Sequence, residues 1–309
     1  MTGRILVLGA AGRFGYAAAD AFRAAGWKVT SLVRPGAAHR APPGTKVIET
    51  TERPVAVEAA RGMDVVLHAL NPRLRDWRRF ALPHAYAAIE AAENAGATLI
   101  FPGNLYNYGA AMPPVLDETT PMQPTSRKGR LRVEIEGRMR EASERGLRTI
   151  ILRAGDFFGT GRGAWLDLVI ARKLRQGEIT YPGPLDVVHE WAYVPDLAAA
   201  TVRLAAVRER LDVFETFGFP GHAVTGRELV AAIARALGRG VKVKRMPWWL
   251  IHALSPFAAL PRELSEIAYF WSVPHRIAGE KLKSAIGKVP HTPFDLAMAR
   301  ALRGLGVAR

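Results

Sequence analysis

Three glycines near the start of the chain have the spacing of a phosphate-binding turn. Gly9, Gly12 and Gly15 follow the apolar run Ile5–Leu8. The first permits a sharp reversal of the chain, the second lets backbone N–H groups approach an anion, and the third lets the next helix pack closely on the strand. That helix would also point the positive end of its dipole at the anion. The pattern predicts that the turn binds the pyrophosphate of a dinucleotide.

Basic residues next to this turn bear on the choice of dinucleotide. Arg13 lies inside the turn. Arg34 follows the predicted second strand, Lys28–Val33, whose end carries no carboxylate to accept hydrogen bonds from ribose hydroxyls. Guanidinium groups suit a ribose phosphate because their donors form a planar fork. We therefore expect NADP(H) to be favoured over NAD(H) as the cofactor.

Strand-like and helical segments alternate through the first half of the chain, and they would position these residues. Strands are predicted at 4–8, 28–33, 46–49, 64–70, 98–101 and 147–153, and helices at 16–25, 54–61, 76–95 and 126–145. This alternation predicts an α/β fold with a doubly wound, parallel Rossmann sheet and right-handed crossovers.

The second half of the chain changes in character. Residues 164–176 are predicted to be helical, and prolines interrupt the C-terminal third. We expect residues 1–165, with 187–212 returning to them, to form a dinucleotide-binding domain. Residues 166–186 and 213–309 would form a smaller substrate-binding lobe over the carboxyl ends of the strands, where such folds bind their ligands.

The composition narrows the classes of protein and of site. The 309 residues are 49% hydrophobic and 23% charged, which is usual for a globular enzyme. The lack of cysteine excludes disulfides and thiol catalysis, and the eight histidines show no metal-ligand spacing, so no metal is predicted. The net charge of +15 comes mainly from scattered arginines, which indicates a basic surface and no nucleic-acid partner.

Two apolar stretches bear on location. The N-terminal run belongs to the strand and glycine turn, and it lacks the order of a signal peptide. The later stretch Trp248–Leu260 is interrupted by His252 and Pro256 and is shorter than the roughly 20 residues that a membrane span needs. We expect a cytoplasmic protein with no membrane partner.

Further characteristic sequence segments follow the glycine turn along the chain. They are Leu99–Phe101 before Tyr108-Gly109, then Leu152–Gly159, Ala192–Asp196 and Phe217–Gly221. With these segments, over most of residues 3–240, the chain resembles the extended short-chain dehydrogenase/reductase family, the NAD-dependent epimerase/dehydratase group. The resemblance implies a Rossmann fold, a nicotinamide cofactor and hydride-transfer chemistry.

The expected cofactor-binding residues come from the glycine turn and from the ends of the predicted strands. They are Gly9, Ala11, Gly12, Arg13, Phe14, Gly15, Arg34, Ala69, Leu70, Asn71, Gly103, Arg130, Ala154 and Phe157.

The catalytic pattern of the family is altered in this chain. Members use a Tyr and a Lys four residues apart on the helix after the fifth strand, with a Ser or Thr at the end of that strand. Here no Tyr lies between Tyr108 and Tyr181. Aligning on Glu134 places Ser126 at the Tyr position and Arg130 at the Lys position. Aligning on Pro124 instead places Lys128 at the Tyr position.

Other residues are candidates for the missing proton donor. Tyr106 follows the fifth strand and is expected nearer the nicotinamide than Tyr108, and a desolvated Lys128 could act as acid or base. Asn104 stands at the Ser/Thr position and could bond a carbonyl, whereas Arg130 could hold ribose or phosphate. The candidate catalytic residues are therefore Asn104, Tyr106, Ser126, Lys128 and Arg130. His189 and Tyr193 are expected at the cleft or in the seam between the lobes.

Three functions remain open from the sequence. The first is an NADP(H)-dependent oxidoreductase acting on a small carbonyl or alcohol, the second a sugar-nucleotide epimerase or dehydratase, and the third a non-catalytic NADP(H)-sensing or scaffolding protein. A substrate lobe lined by Trp165, Trp191, Trp248 and Trp249 favours the first two. Loss of the Tyr and Lys favours the third. The helices at 76–95 and 126–145 match those that pair in family dimers, so a homodimer is expected.

Overall fold

A parallel sheet of seven strands dominates the computed structural model, which describes residues 2–308. The strands are β1 Arg4–Leu8, β2 Lys28–Val33, β3 Lys46–Glu49, β4 Val65–His68, β5 Thr98–Gly103, β6 Val115–Leu116, β7 Thr149–Arg153, β8 Asp156–Phe158, β9 Glu178–Tyr181, β10 Val188–Tyr193, β11 Phe214–Gly218, β12 His222–Thr225, β13 Lys242–Arg245 and β14 Arg276–Ile277. The α-helices are α1 Arg13–Ala24, α2 Arg53–Ala59, α3 Trp77–Ala95, α4 Arg127–Glu144, α5 Val194–Val207, α6 Gly226–Leu237, α7 Trp248–Leu254, α8 Ala259–Ser265, α9 Glu280–Ile286 and α10 Phe294–Gly304.

The order of the strands places a crevice next to β1. Across the large sheet the order is β11-β7-β5-β4-β1-β2-β3, and every neighbouring pair is parallel. The order reverses between β1 and β4, and ligands bind at such a switch point. The predicted doubly wound α/β fold is confirmed.

Helices cover both faces of the sheet, and the side chains of β1 alternate between the two cores that result. Ile5 and Val7 point into a core shared with α1 and α5, whereas Leu6 and Leu8 point into a second core with α3 and α4. All four side chains are buried. A strand that is apolar on both faces must lie in the middle of a parallel sheet, as β1 does.

Two details differ from the sequence prediction. Residues 213–309 are expected in the smaller lobe, but β11 is an edge strand of the large sheet, paired with β7. The predicted helix 164–176 is replaced by a wide helical turn at Leu166–Ile170 and a 3-10 turn at Leu174–Gln176. The Asp167 carboxylate accepts the N–H groups of Gly163 and Ala164, which favours a local turn over a longer helix.

The smaller lobe contains three short sheets, β12-β10-β8, β13-β9 and β14-β6. It therefore takes in β6, β8 and β10, whose residues were expected in the dinucleotide-binding domain, because these strands pair with strands of the lobe and not with the large sheet. Its core packs Trp191 and Trp271 against Leu229, Ile233 and Leu302. The lobe sits beyond the carboxyl ends of the large sheet, because β8 follows directly from β7.

Candidate active site

The glycine turn is as tight as the sequence predicted. Gly9 has φ +89° and lies against the backbone of Ala69, whose carbonyl oxygen would be 3.0 Å from a Cβ on Gly9. A Cβ on Gly15 would lie 2.3 Å from the carbonyl oxygen of Gly9. The Gly12 N–H closes the turn by donating to the same oxygen over 2.9 Å. Only glycine fits at the first and third positions.

This turn suits the pyrophosphate of a dinucleotide. The helix α1 begins at Arg13, has Gly12 as its N-cap, and receives no hydrogen bond from a capping side chain. Its first turn contains no acidic residue. The amides at this end are therefore available to an anion, and the dipole of the helix favours one.

Several of the other expected cofactor residues gather around the turn. A Cβ on Gly9 would also lie 3.1 Å from the side chain of Leu70, which places the segment after β4 against the turn. The rings of Phe14 and Phe157 are 5.9 Å apart, and Arg13 Nη1 donates to the Phe157 carbonyl oxygen over 3.3 Å. Asn71, Gly103 and Ala154 stand at the ends of β4, β5 and β7, along the same edge of the sheet.

Three arginines surround the turn. Arg13 is largely buried, burial lowers its pKa, and its Nε has no hydrogen-bond partner among residues 2–308. Arg34 is exposed at the end of β2. Arg40, which the sequence analysis missed, donates from Nη2 to the Ala11 carbonyl oxygen over 3.2 Å. Nothing in the sequence indicated Arg40, because it lies on a short 3-10 turn, Ala38–Arg40, that has no periodic pattern of its own.

The residues aligned with the family's Tyr and Lys occupy unlike environments. Ser126 is buried as the N-cap of α4, where its hydroxyl accepts the Gly129 N–H over 3.0 Å. Arg130 is exposed one turn further along. The first turn of α4 presses on the loop after β5, since a Cβ on Gly129 would lie 2.3 Å from the Tyr106 carbonyl oxygen.

Lys128 is buried and paired with two carboxylates. Its ammonium bonds Glu263 and lies 3.1 Å from Glu266, while its backbone N–H donates to Glu266 over 2.9 Å. Lys128 thus anchors the C-terminal segment to α4, which does not suit the acid–base role suggested by the sequence.

Two buried phenols meet beside the start of α4. Tyr106 is 8% exposed and packs edge-on against Phe270, with ring centroids 5.2 Å apart. Burial raises its pKa well above the usual value, and the nearby Asp156 and Tyr269 raise it further. The hydroxyl of Tyr269 is buried beside the side chains of Ser126 and Thr125, and burial raises its pKa more than these two neighbours lower it. Sequence reasoning missed Tyr269, because it lies far along the chain in the smaller lobe.

A carboxylate–imidazole pair lies next to these phenols. Asp156, the first residue of β8, is 2.9 Å from Nε2 of His189 on β10. The imidazole stacks on Trp271 at 4.3 Å and is almost wholly buried. The Asp156 charge raises the pKa of Tyr181 as well as that of Tyr106, with burial the larger cause for each. The Asp156 carboxylate is therefore close enough to both Tyr106 and Tyr181 for its charge to act on each phenol.

Two neighbours of His189 complete this wall. His275 lies 4.6 Å away, and burial lowers its pKa to about 3, so it stays neutral. Glu190 accepts the N–H groups of Gly221 and Ile277 over 2.7 and 3.0 Å. Burial raises the pKa of Glu190 to about 7, more than these hydrogen bonds lower it. Glu190 thereby joins β10 to the turn after β11 and to β14.

The tryptophans are placed differently from the expected lining. Trp165 packs on Trp271 at 4.9 Å and lies beside Tyr106. Trp191 is buried in the lobe core, and Trp248 donates to the Pro182 carbonyl oxygen over 2.5 Å. Trp249 is 75% exposed and does not line the site. Apolar character alone could not show which face of the short helix α7 would be covered.

Residues 2–308 contain neither a metal-binding cluster nor a membrane-spanning helix. No group of three or more His, Asp or Glu side chains is placed to hold a metal ion. In the same residues, no helix combines the length and the apolar character needed to cross a membrane.

Among protein families, the one described as the NAD dependent epimerase/dehydratase family has a model that matches residues 5–217. A comparison with curated proteins gives no match.

Solved structures share the fold along the whole chain. A protein from Burkholderia cenocepacia J2315 is 22% identical, with 99% of this chain and 98% of that chain covered at a TM-score of 0.79. MoeE5 in complex with UDP-glucose and NAD is 20% identical, with 98% and 99% covered at 0.78. The UDP-Glc/GlcNAc 4-epimerase from Campylobacter jejuni is 16% identical, with 97% and 98% covered at 0.76.

Proposed function

The chain belongs to the NAD-dependent epimerase/dehydratase family, and from this premise we propose that it is an NADP(H)-dependent oxidoreductase that reduces a small carbonyl compound. The observation that carries the proposal is the buried phenol of Tyr106 beside the Asp156–His189 pair. These groups lie beyond the same strand ends as the glycine turn. A proton donor and a dinucleotide site on one edge of the sheet are what a carbonyl reduction requires.

The chain's residues divide the work between binding and proton transfer. The amides at the start of α1 hold the pyrophosphate. When bound, the nicotinamide supplies the hydride. Asn104 Oδ1 accepts the Tyr106 N–H over 3.2 Å, which leaves its amide N–H groups to bond the carbonyl oxygen of the substrate.

Tyr106 provides the proton in this scheme. Burial and Asp156 raise the pKa of Tyr106, so the phenol is protonated at neutral pH but is a weaker acid than an exposed tyrosine. It gives up its proton only as negative charge develops on the substrate oxygen. The proton passes from the Tyr106 hydroxyl to the substrate oxygen as the hydride reaches the carbon. The Asp156 carboxylate beside this phenol is itself held by Nε2 of His189 over 2.9 Å, which fixes its position in the site.

The preference for NADP(H) rests on the arginines around the turn. Arg34 and Arg40 both lie on the segment after β2, where the ribose of the adenosine half is bound in such folds. The nearest carboxylate on β3, Glu49, accepts the Ala38 N–H over 2.8 Å. The guanidinium groups suit a 2′-phosphate. The Glu49 carboxylate is already hydrogen-bonded to Ala38 and is therefore less suited to accept from a ribose hydroxyl.

A sugar-nucleotide epimerase is the second candidate, and the structural neighbours favour it. MoeE5 binds UDP-glucose and NAD, and the Campylobacter jejuni protein is a UDP-Glc/GlcNAc 4-epimerase. The Asp156 carboxylate argues against a diphosphate at this point of the cleft, because like charges repel across a desolvated site. A neutral carbonyl compound fits the wall of Tyr106, Trp165 and Asp156 better.

The test follows deuterium from NADPH labelled on the nicotinamide, incubated with the protein and a mixed metabolite extract. We expect the label in a reduced metabolite, and we expect Tyr106→Phe to abolish the transfer while NADPH still binds. UDP-glucose converted to its epimer without loss of label would support the second candidate. Label that stays on bound NADPH, with no UDP-glucose converted to its epimer, would overturn both enzymes in favour of a sensing or scaffolding protein.

A further inference from the structure

The helices α7 and α8 form an apolar hairpin that the rest of the molecule leaves uncovered. They pack on each other, and neither contains a fully buried residue within the described chain. Trp249 is 75% exposed, Phe257 85% and Leu260 57%, and Leu250 and Leu254 are also exposed. Single exposed apolar side chains are ordinary, but five within twelve residues form a patch that marks an interaction surface.

The acidic residues of the hairpin face the body of the protein. Residues 248–261 contain no Asp, Glu, Lys or Arg. Glu263 and, just beyond α8, Glu266 are both paired with Lys128 and Arg127 at the start of α4. Their negative charge is thus neutralised on the inner side, and the outer side of the hairpin carries none.

Basic residues border the apolar patch. Arg262 donates to the carbonyl oxygens of Ser255 and Pro256, each over 3.2 Å, so its guanidinium lies against the loop that carries Phe257. Lys242 and Arg245 are exposed on β13, immediately before α7. A patch with aromatic and aliphatic side chains at its tip and arginine and lysine at its border is typical of proteins that lie on a membrane surface.

The charge of the whole chain decides between possible occupants. A second copy placed on this patch would bring another +15 and the same unbalanced arginine against the first. An anionic lipid surface attracts each of these charges, and its interfacial layer accepts the apolar tip. We propose that the hairpin docks on an anionic lipid membrane, with Trp249 and Phe257 inserted at the level of the headgroups.

Docking at the surface is consistent with the rest of the fold. Among residues 2–308 no helix is long and apolar enough to span a bilayer, so the attachment is peripheral. The prediction from sequence was that the protein has no membrane partner. The proposal departs from it because the exposure of Trp249 could not be read from its residue type.

Flotation with lipid vesicles tests the proposal. Phosphatidylcholine vesicles with and without phosphatidylglycerol are mixed with the protein, its W249Q F257Q variant and, as a matched control, L168Q. Leu168 is 58% exposed but lies outside the hairpin. We expect binding to the anionic vesicles only, weakened by salt, unchanged in L168Q and reduced by roughly tenfold or more in the double variant.

Three outcomes would overturn the proposal. They are equal flotation with both vesicle types or with neither, flotation of the double variant like the original protein, and a dimer in solution that the double variant dissociates. Circular dichroism and NADPH binding of each variant show that the fold and the cofactor site are intact. Since the hairpin does not touch the glycine turn, failure of docking would leave the proposed enzymatic function untouched.

Discussion

Replacing Gly15 by alanine tests the dinucleotide turn directly. The added Cβ would lie 2.3 Å from the Gly9 carbonyl oxygen and 2.9 Å from its carbon. Both are backbone atoms, so no side chain can rotate away. Ordinary contact begins at 3.4 Å, and the start of α1 must therefore move by about 1 Å relative to the turn.

The cost can be worked from this displacement. Forcing an extra carbon into a packed site costs about 1–3 kcal/mol. If the strain is relieved by opening the turn, the amides leave their positions around the pyrophosphate, and NADPH affinity falls by about 5- to 150-fold. If the strain is borne by the fold, the same energy appears as a lower melting temperature.

Calorimetric titration with NADPH and thermal unfolding together measure both routes. Gly137→Ala is the matched control, because this glycine lies inside α4 and a Cβ added there would meet no atom of another element within 4 Å. There the alanine should stabilise the helix by about 0.5–1 kcal/mol and leave NADPH binding unchanged. Gly15→Ala with unaltered affinity and unaltered melting temperature would refute the geometric reasoning for the turn.

The other predictions concern proton transfer, cofactor choice and pH. Tyr106→Phe should lower the rate of deuteride transfer by about 10²- to 10⁴-fold with NADPH affinity intact, and an unchanged rate would remove Tyr106 from the mechanism. Arg34→Ala and Arg40→Ala should each weaken NADPH by roughly tenfold and NADH far less, measured by fluorescence titration, whereas equal losses would contradict a 2′-phosphate site. The pKa of Glu190 is raised to about 7 in the fold. The unfolded chain therefore loses this proton first, and the free energy of unfolding should fall by up to about 3 kcal/mol as pH rises from about 4.5 to 7. Glu190→Gln should remove that fall in denaturant titrations, and a variant with the same pH dependence as the original protein would show that Glu190 does not titrate there.

The glycine turn and the succession of strands and helices along the first half of the chain could be predicted because their signals are local. Gly9, Gly12 and Gly15 lie within one turn, and an apolar strand such as β1 carries its own evidence of burial. The alternation of strand and helix then leaves few topologies open. The edge strand β11 is recognisable as a strand from its residues, but its place in the large sheet is not, because its partner β7 lies about sixty residues earlier.

The part of the site around Asp156, Lys128 and Tyr269 depends on contacts between segments that are far apart in the sequence. Asp156 and His189 are 33 residues apart, and only the pairing of β8 with β10 brings them together. Lys128 has the sequence context of a free helix-start lysine, since nothing near it in sequence announces Glu263 and Glu266. Tyr269 could not be identified from the sequence for the same reason. Residue type predicts what a side chain can do, whereas only the fold decides which others it meets.

The contact between α4 and the C-terminal segment also dictates an order of assembly. The Lys128–Glu266 bond closes a loop of 138 residues, and contacts of such long separation form late because the entropy of the loop must be overcome first. A chain emerging from the ribosome can complete the glycine turn when little more than β1, α1 and their neighbours have been made. It cannot enclose Tyr106 until Phe270 has been synthesised and docked. A nascent or shortened chain that stops before residue 263 would therefore contain the glycine turn but would leave Tyr106 without its cover of Phe270.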